Sequence, residues 1–222
     1  MTKRESFQKH KKELEQELTH MGEMVIHAIK RSVEALKNRN IEEAKKIVAD
    51  DMLINKKRWD IEEGCISLIA TQQPVASDLR DLIAILNIIT ELERMGDYAA
   101  GTANIVIMMG DQLLIKPLID IPRMTEKATD MIKRALEAFM KQDVKAAKAI
   151  CNEDDEVDML YDQIYRELLS FMIEDPKKIT SATYLIWVAH NLERIADRVT
   201  NICERIVFLV TGTMEEINVS KY

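Results

Sequence analysis

Two carboxylate pairs share one spacing in this 222-residue chain: Glu93 with Asp97, and Glu193 with Asp197. Four residues apart on a helix, the members of each pair project from one face with β-carbons about 5–6 Å apart. Two carboxylates so placed can share a cation. Without one they repel, at about 0.2–0.5 kcal/mol on an exposed helix and more once desolvated. A chain with 38 acidic residues contains many such pairs by chance, most of them solvated. These two lie beside apolar stripes, Leu82, Leu86, Ile89, Leu92 and Gly96 in one segment and Ala182, Leu185, Ala189, Leu192 and Ala196 in the other. The stripes direct both pairs inward or into a groove.

Further acids interrupt apolar rows elsewhere. Ile47, Asp51, Ile54, Arg58, Ile61, Cys65 and Leu68 form one row, and Ile150, Asp154, Val157, Tyr161, Ile164, Leu168 and Phe171 form another. Asp158 follows Asp154 by four residues, whereas the matching position after Asp51 is Asn55. A buried acid has to be paired, protonated or metal-bound. Arg58, Arg94 and Arg194 offer a purely structural answer, interhelical ion pairs that fix helix register. Metal binding is the preferred answer, because each half presents at least three inward acids against few inward cations. Glu93, Asp97, Glu193, Asp197, Asp51, Asp154 and Asp158 are therefore the candidate ligands. Such an oxygen-rich set suits iron, Mn²⁺ or Mg²⁺ better than zinc or copper, and the sequence does not choose among them.

Catalysis has little support. A ferritin-type di-iron site needs Glu-x-x-His on two helices, and only Glu17 with His20 has that spacing. His190 stands three residues before Glu193, and its simplest reading is a satisfied core histidine. No glycine-rich phosphate loop, Gly-x-Ser-x-Gly elbow or Cys–His pairing occurs. The chain is expected not to be an enzyme, with a metal-dependent enzyme or metal-storage bundle as the alternative. Trp59, Trp187, Tyr161 and Tyr184 read as core or interface residues, and the 13 methionines as helical packing.

The elements that position these acids are helices. Only 6 Gly and 4 Pro punctuate the chain, and the breakers Pro74, Gly110, Pro117, Pro122 and Pro176 bound stretches with apolar residues at helical spacing. Leu14, Leu18, Met21, Val25, Ala28, Ser32 and Leu36 make the stripe of the first helix. The second is expected over 41–71 and the third over 74–110, with Pro74 in its first turn. Ile29-Lys30-Arg31 and Glu34-Ala35 recur as Ile132-Lys133-Arg134 and Glu137-Ala138, and Leu92-Glu93-Arg94 with Asp97 recurs as Leu192-Glu193-Arg194 with Asp197. This ordered repeat predicts an all-α fold of two tandem, repeat-related three-helix bundles, six long helices in total. The first bundle is expected over 1–112, the second over 117–215, and a C-terminal tail over 216–222.

Composition narrows the setting. The formal charge of −7 and pI near 5.3 argue against nucleic acid as the main partner. The charged start and the lack of any span of roughly 20 apolar residues predict a cytoplasmic chain without direct membrane insertion. Cys65, Cys151 and Cys203, odd in number and far apart in sequence, fit reduced core thiols.

Gln73-Pro74-Val75-Ala76-Ser77-Asp78-Leu79-Arg80, Leu92-Glu93-Arg94-Met95-Gly96-Asp97 and Leu192-Glu193-Arg194-Ile195-Ala196-Asp197 together resemble the PhoU family, and the likeness spans nearly the whole chain. The resemblance implies two similar bundles, multinuclear metal sites at the acids above, and a homodimer. It further implies a negative regulator that links the ATPase of the high-affinity phosphate ABC importer to the phosphate-sensing histidine kinase. A different phosphate transporter is the alternative partner. The chain departs from the family pattern at Asn55, where an acid is expected, at Ala196, where glycine is common, and at Tyr98 and Arg198, where histidine is frequent.

Overall fold

The computed structural model describes residues 3–213 and residue 217, so the tail expected over 216–222 lies, Ile217 apart, outside the described residues. Helices α1 (Lys3–Asn38), α2 (Ile41–Gln72) and α3 (Ser77–Met109) build the first half. Helices α4 (Asp120–Lys141), α5 (Val144–Cys151), α6 (Asp154–Glu174) and α7 (Ile179–Thr211) build the second, with a 3₁₀ turn over Pro176–Lys178 before α7. No strand occurs among the described residues.

The repeat is visible in backbone geometry. The α1–α2 corner passes through Arg39 at φ 53° and the α4–α5 corner through Gln142 at φ 51°, both left-handed. The next N–H closes each corner: Asn40 donates to Ala35 O at 2.8 Å and Asp143 to Ala138 O at 2.9 Å. Each of those residues then caps the following helix, the Asn40 side chain accepting from Glu43 N and the Asp143 side chain from Ala146 N, both at 3.0 Å. Asn and Asp serve here because a short side-chain oxygen reaches an N–H that the helix leaves unpaired.

Two expectations need correction. Pro74 is not in the first turn of a helix: α3 starts at Ser77, after Gln73 has closed α2 in a left-handed C-cap and Ala76 has taken φ 50°. The fifth helix is not continuous either. It breaks at Asn152 and Glu153 into α5 and α6, placing Asp154, Asp155 and Glu156 in the first turn of α6, where carboxylates favour the helix dipole. The corresponding stretch of α2 runs unbroken.

Helices α3 and α7 are the central elements. Each packs on the other helices of its own half, α3 packs on α7, and α1 packs on α4, so one continuous apolar core joins the halves. Gly22 permits the α1–α4 approach, since a β-carbon there would lie 2.2 Å from Leu136 Cδ1. The α3–α7 contact has polar stitches: Glu91 accepts from Arg198 at 3.3 Å and Asn201 at 3.2 Å, and Asn191 donates to Thr102 Oγ1 at 3.2 Å. Cys65, Cys151 and Cys203 are buried and outside any disulfide, although the fold brings Cys151 and Cys203 into contact.

Candidate metal centre

In the second half, α6 supplies Asp154 and Asp158 and α7 supplies Glu193 and Asp197. Asp154, Asp158 and Asp197 each offer an oxygen within 4.8 Å of the others, and no other set of three Asp, Glu, His or Cys side chains among the described residues meets that spacing. Glu193 sits just outside it, close enough to repel both Asp154 and Asp197. Asp154 is 6% exposed and Glu193 8%.

Uncompensated charge marks this cluster. Burial first, then Asp158, Asp197 and Glu193, pushes the Asp154 carboxyl up to about 7. Burial and then Asp197 push Glu193 up to about 7. Asp158 and Asp197 are raised too, chiefly by burial. Asp154 Oδ1 and Glu193 Oε2 are buried without a hydrogen bond. His190 Nδ1 lies 3.3 Å from that Glu193 oxygen, within ion-pair range but outside hydrogen-bonding geometry. An orphaned buried carboxylate oxygen calls for a proton or a cation.

The first-half site is looser. Asp51 comes from α2, and Glu93 and Asp97 from α3. Gly96 lets the helices close: a β-carbon there would lie 3.2 Å from Ile54 Cδ1 and 3.4 Å from Asp51 Oδ1. Burial, followed by Asp97, raises Asp51, while burial and Asp97 raise Glu93. Asn55 Nδ2 donates to Asp51 Oδ2 at 3.0 Å, so an amide satisfies one oxygen that its second-half counterpart would crowd with an acid.

The ion-pair explanation covers only part of this. Arg194 meets Asp197 at 2.6 Å. Arg94 is well exposed and reaches Glu93 and Asp97 only at 3.8 and 3.9 Å, and Arg58 pairs with Glu62 on its own helix at 3.4 Å. None of the three answers the orphaned oxygens of Asp154 and Glu193. The donor set therefore fits a hard cation: carboxylates from two helices, no thiolate, and one histidine at the rim.

Other sequence readings change. His190 is exposed beside Glu193 rather than a core histidine, and Trp59 and Trp187 are exposed rather than core, at 60% and 48%. The methionines divide: Met21, Met95 and Met124 are fully buried, while Met52, Met108, Met140 and Met159 are exposed. Tyr98 lies against Arg194 and Arg198 across the α3–α7 contact, and against the opposing effect of burial these guanidinium groups lower its hydroxyl, while Arg198 also pairs with Glu91.

Sequence reasoning missed the role of the repeated arginine. Arg134 binds both oxygens of Glu153, at 2.7 and 2.6 Å, and Lys127 adds a contact at 3.1 Å. Arg134, then Lys127, holds Glu153 down at about 2 against the opposing effect of burial. In the first half Arg31 likewise binds Asp50 at 2.7 Å and Glu43 at 2.6 Å. Glu153 and Asp50 immediately precede the candidate ligands Asp154 and Asp51, so each arginine anchors the backbone that presents a ligand. The signal was the recurrence of Ile-Lys-Arg itself. Asp81, buried and ion-paired to Lys11, was also missed, for lack of any repeat to mark it.

Comparison with known proteins agrees with this architecture. The PhoU domain matches twice, over residues 18–106 and 121–206. A phosphate-specific transport system accessory protein PhoU homolog of Clostridium acetobutylicum is 37% identical over 216 residues, covering 97% of this chain and 99% of the relative. The homolog of Rhizobium meliloti is 34% identical over 95% of this chain and 90% of its own length. The crystal structure of the phosphate transport system regulatory protein PhoU from Streptococcus pneumoniae superposes with a TM-score of 0.87 at 32% identity, covering 94% of this chain and 99% of that one. PhoU from Pseudomonas aeruginosa gives the same TM-score over 93% of this chain and all of its own. Proteins of this kind are regulatory accessories of phosphate transport, not enzymes, and among the described residues no helix is long and apolar enough to cross a membrane. With two domain matches in tandem and full-length relatives above 30% identity, the chain belongs to the PhoU family.

Proposed function

We propose that this chain is a cytoplasmic, metal-binding adaptor that restrains the phosphate-starvation response by linking the ATPase of the phosphate ABC importer to the phosphate-sensing histidine kinase. The observation that carries the metal part is the Asp154, Asp158 and Asp197 cluster with Glu193 at its edge, where buried oxygens on Asp154 and Glu193 lack a hydrogen bond. Iron, Mn²⁺ or Mg²⁺ bound there would neutralise the cluster and fix α6 against α7. The partner part rests on the family and on the relatives' names as accessory proteins of phosphate-specific transport. Exposed Trp59, Met52 and Ile66 on α2 give apolar surface for a protein partner or for a homodimer.

The test is an affinity pull-down from lysate of the source organism, comparing wild type with the Glu93→Ala, Asp97→Ala, Glu193→Ala, Asp197→Ala variant. Recovery of the importer ATPase or the kinase with wild type, and its loss with a folded variant, is the expected result. Equal recovery with both proteins removes the metal from docking. Recovery of neither partner with wild type sinks the adaptor role.

A further inference from the structure

Where α1 crosses α4, a cleft of about 560 Å³ opens between the halves, a volume in the range of small-molecule sites. Its apolar surface comes from Ile26, Leu136 and Met140, with Leu136 held in place by its close seat on Gly22. Lys30 and Lys133 both line it. They occupy equivalent positions in the repeat, following Ile29 and Ile132, so the crossing of two related helices brings two like charges to one opening.

Neither lysine is ion-paired among the described residues. Two carboxylates also line the cleft: Glu137 pairs with Lys141, a third lysine of the lining, at 3.7 Å, and Glu23 lies 3.7 Å from His20 on α1. The neighbouring Arg31 and Arg134, by contrast, are each held by two carboxylates. An apolar floor flanked by two unanswered ammonium groups complements a molecule with an apolar body and a negative end.

We propose that the α1–α4 cleft binds a small amphipathic anion, a flat aromatic body over Ile26, Leu136 and Met140 with its phosphate, sulfonate or carboxylate between Lys30 and Lys133. Such a ligand would touch both halves and stiffen their packing. The site is separate from the carboxylate cluster and does not depend on metal.

The probe is 1-anilinonaphthalene-8-sulfonate, followed by fluorescence and by the ε-methyl NMR signal of Met140, with uncharged N-phenyl-1-naphthylamine as the comparison ligand. Wild type is expected to bind the sulfonate saturably at one site per chain with a shift of the Met140 signal. The Lys30→Gln, Lys133→Gln variant should bind it about tenfold more weakly while its affinity for the uncharged analogue stays the same. Both changes are at exposed positions, and an unchanged circular dichroism spectrum checks the fold. Trp59→Ala, which alters another exposed apolar surface, should leave binding intact. Overturning results are an unmoved Met140 signal, loss of binding with Trp59→Ala, or equal sulfonate affinity in wild type and the lysine variant.

Discussion

The two carboxylate sites sit on the same scaffold yet differ in how much charge they leave unanswered. In the second half four acids converge, Asp154 and Glu193 are driven up to about 7, and two buried oxygens have no hydrogen bond. In the first half Asn55 replaces the fourth acid and donates to Asp51, and Asp97 is nearly half exposed. One amide thus turns a cluster that demands a cation into one that partly satisfies itself. Ligand charge count and rigidity set affinity for hard cations, so the halves should bind metal unequally.

The largest effect should come from the second site. Asp154→Ala removes a ligand and an orphaned oxygen, and titration with Mn²⁺ by calorimetry should show the tighter site weakened by about 100-fold, the scale on which metal sites respond to lost ligation or support. Asp51→Ala should cost the chain less, and equal losses would erase the proposed asymmetry.

Asn55→Asp should sharpen the comparison from the other side. It restores the missing acid, so first-site affinity should rise about tenfold through the added charge. The same variant without metal should melt at a lower temperature near pH 8, because a further carboxylate joins the cluster. An unchanged affinity would mean that geometry, not charge, limits the first site.

Proton linkage separates the sites as well. Asp154 and Glu193 have folded-state values above their unfolded ones, so the native state holds more protons between about pH 4 and pH 7. Stability of the metal-free protein should therefore fall as pH rises through that window and level off above it. Mn²⁺ should reverse the fall at pH 8, since it replaces the protons. Melting temperatures from pH 5 to pH 8 with and without Mn²⁺ would check this, and the slope should shrink in Asp154→Asn.

The smallest effect concerns the anchoring arginines. Arg134 holds Glu153 through two bonds with both side chains partly buried, and Arg134→Met should cost about 1–2 kcal/mol after allowance for solvent screening. Arg31→Met should cost less, because its partner Asp50 is nearly half exposed. Urea denaturation at pH 7 orders the two, and the reverse order would mean that these contacts do not set the difference between the halves.

Much of the fold was readable from residue spacing. The first helix stripe from Leu14 to Leu36 is buried apart from the half-buried Ala28, and the duplicated Leu-Glu-Arg segments fall on α3 and α7, the central helices. What escaped were local choices. The break at Asn152 hides in a row that reads as one helix, because Ile150, Asp154 and Val157 keep nearly the same face whether or not the backbone turns between them. Pro74 fits a helix start by type, but Gln73 in a left-handed conformation and Ala76 at a positive φ of 50° postpone the helix to Ser77.

The sequence by itself determined helical class, duplication and which acids stand beside apolar stripes, because a period of 3.6 and a repeated motif are one-dimensional properties. Tertiary structure decided which acids meet, which are left without partners, and where Lys30 and Lys133 converge. Those facts depend on the angle and distance at which helices cross. They are set by side-chain contacts such as Leu136 on Gly22 and Ile54 on Gly96, whose partners lie far apart along the chain.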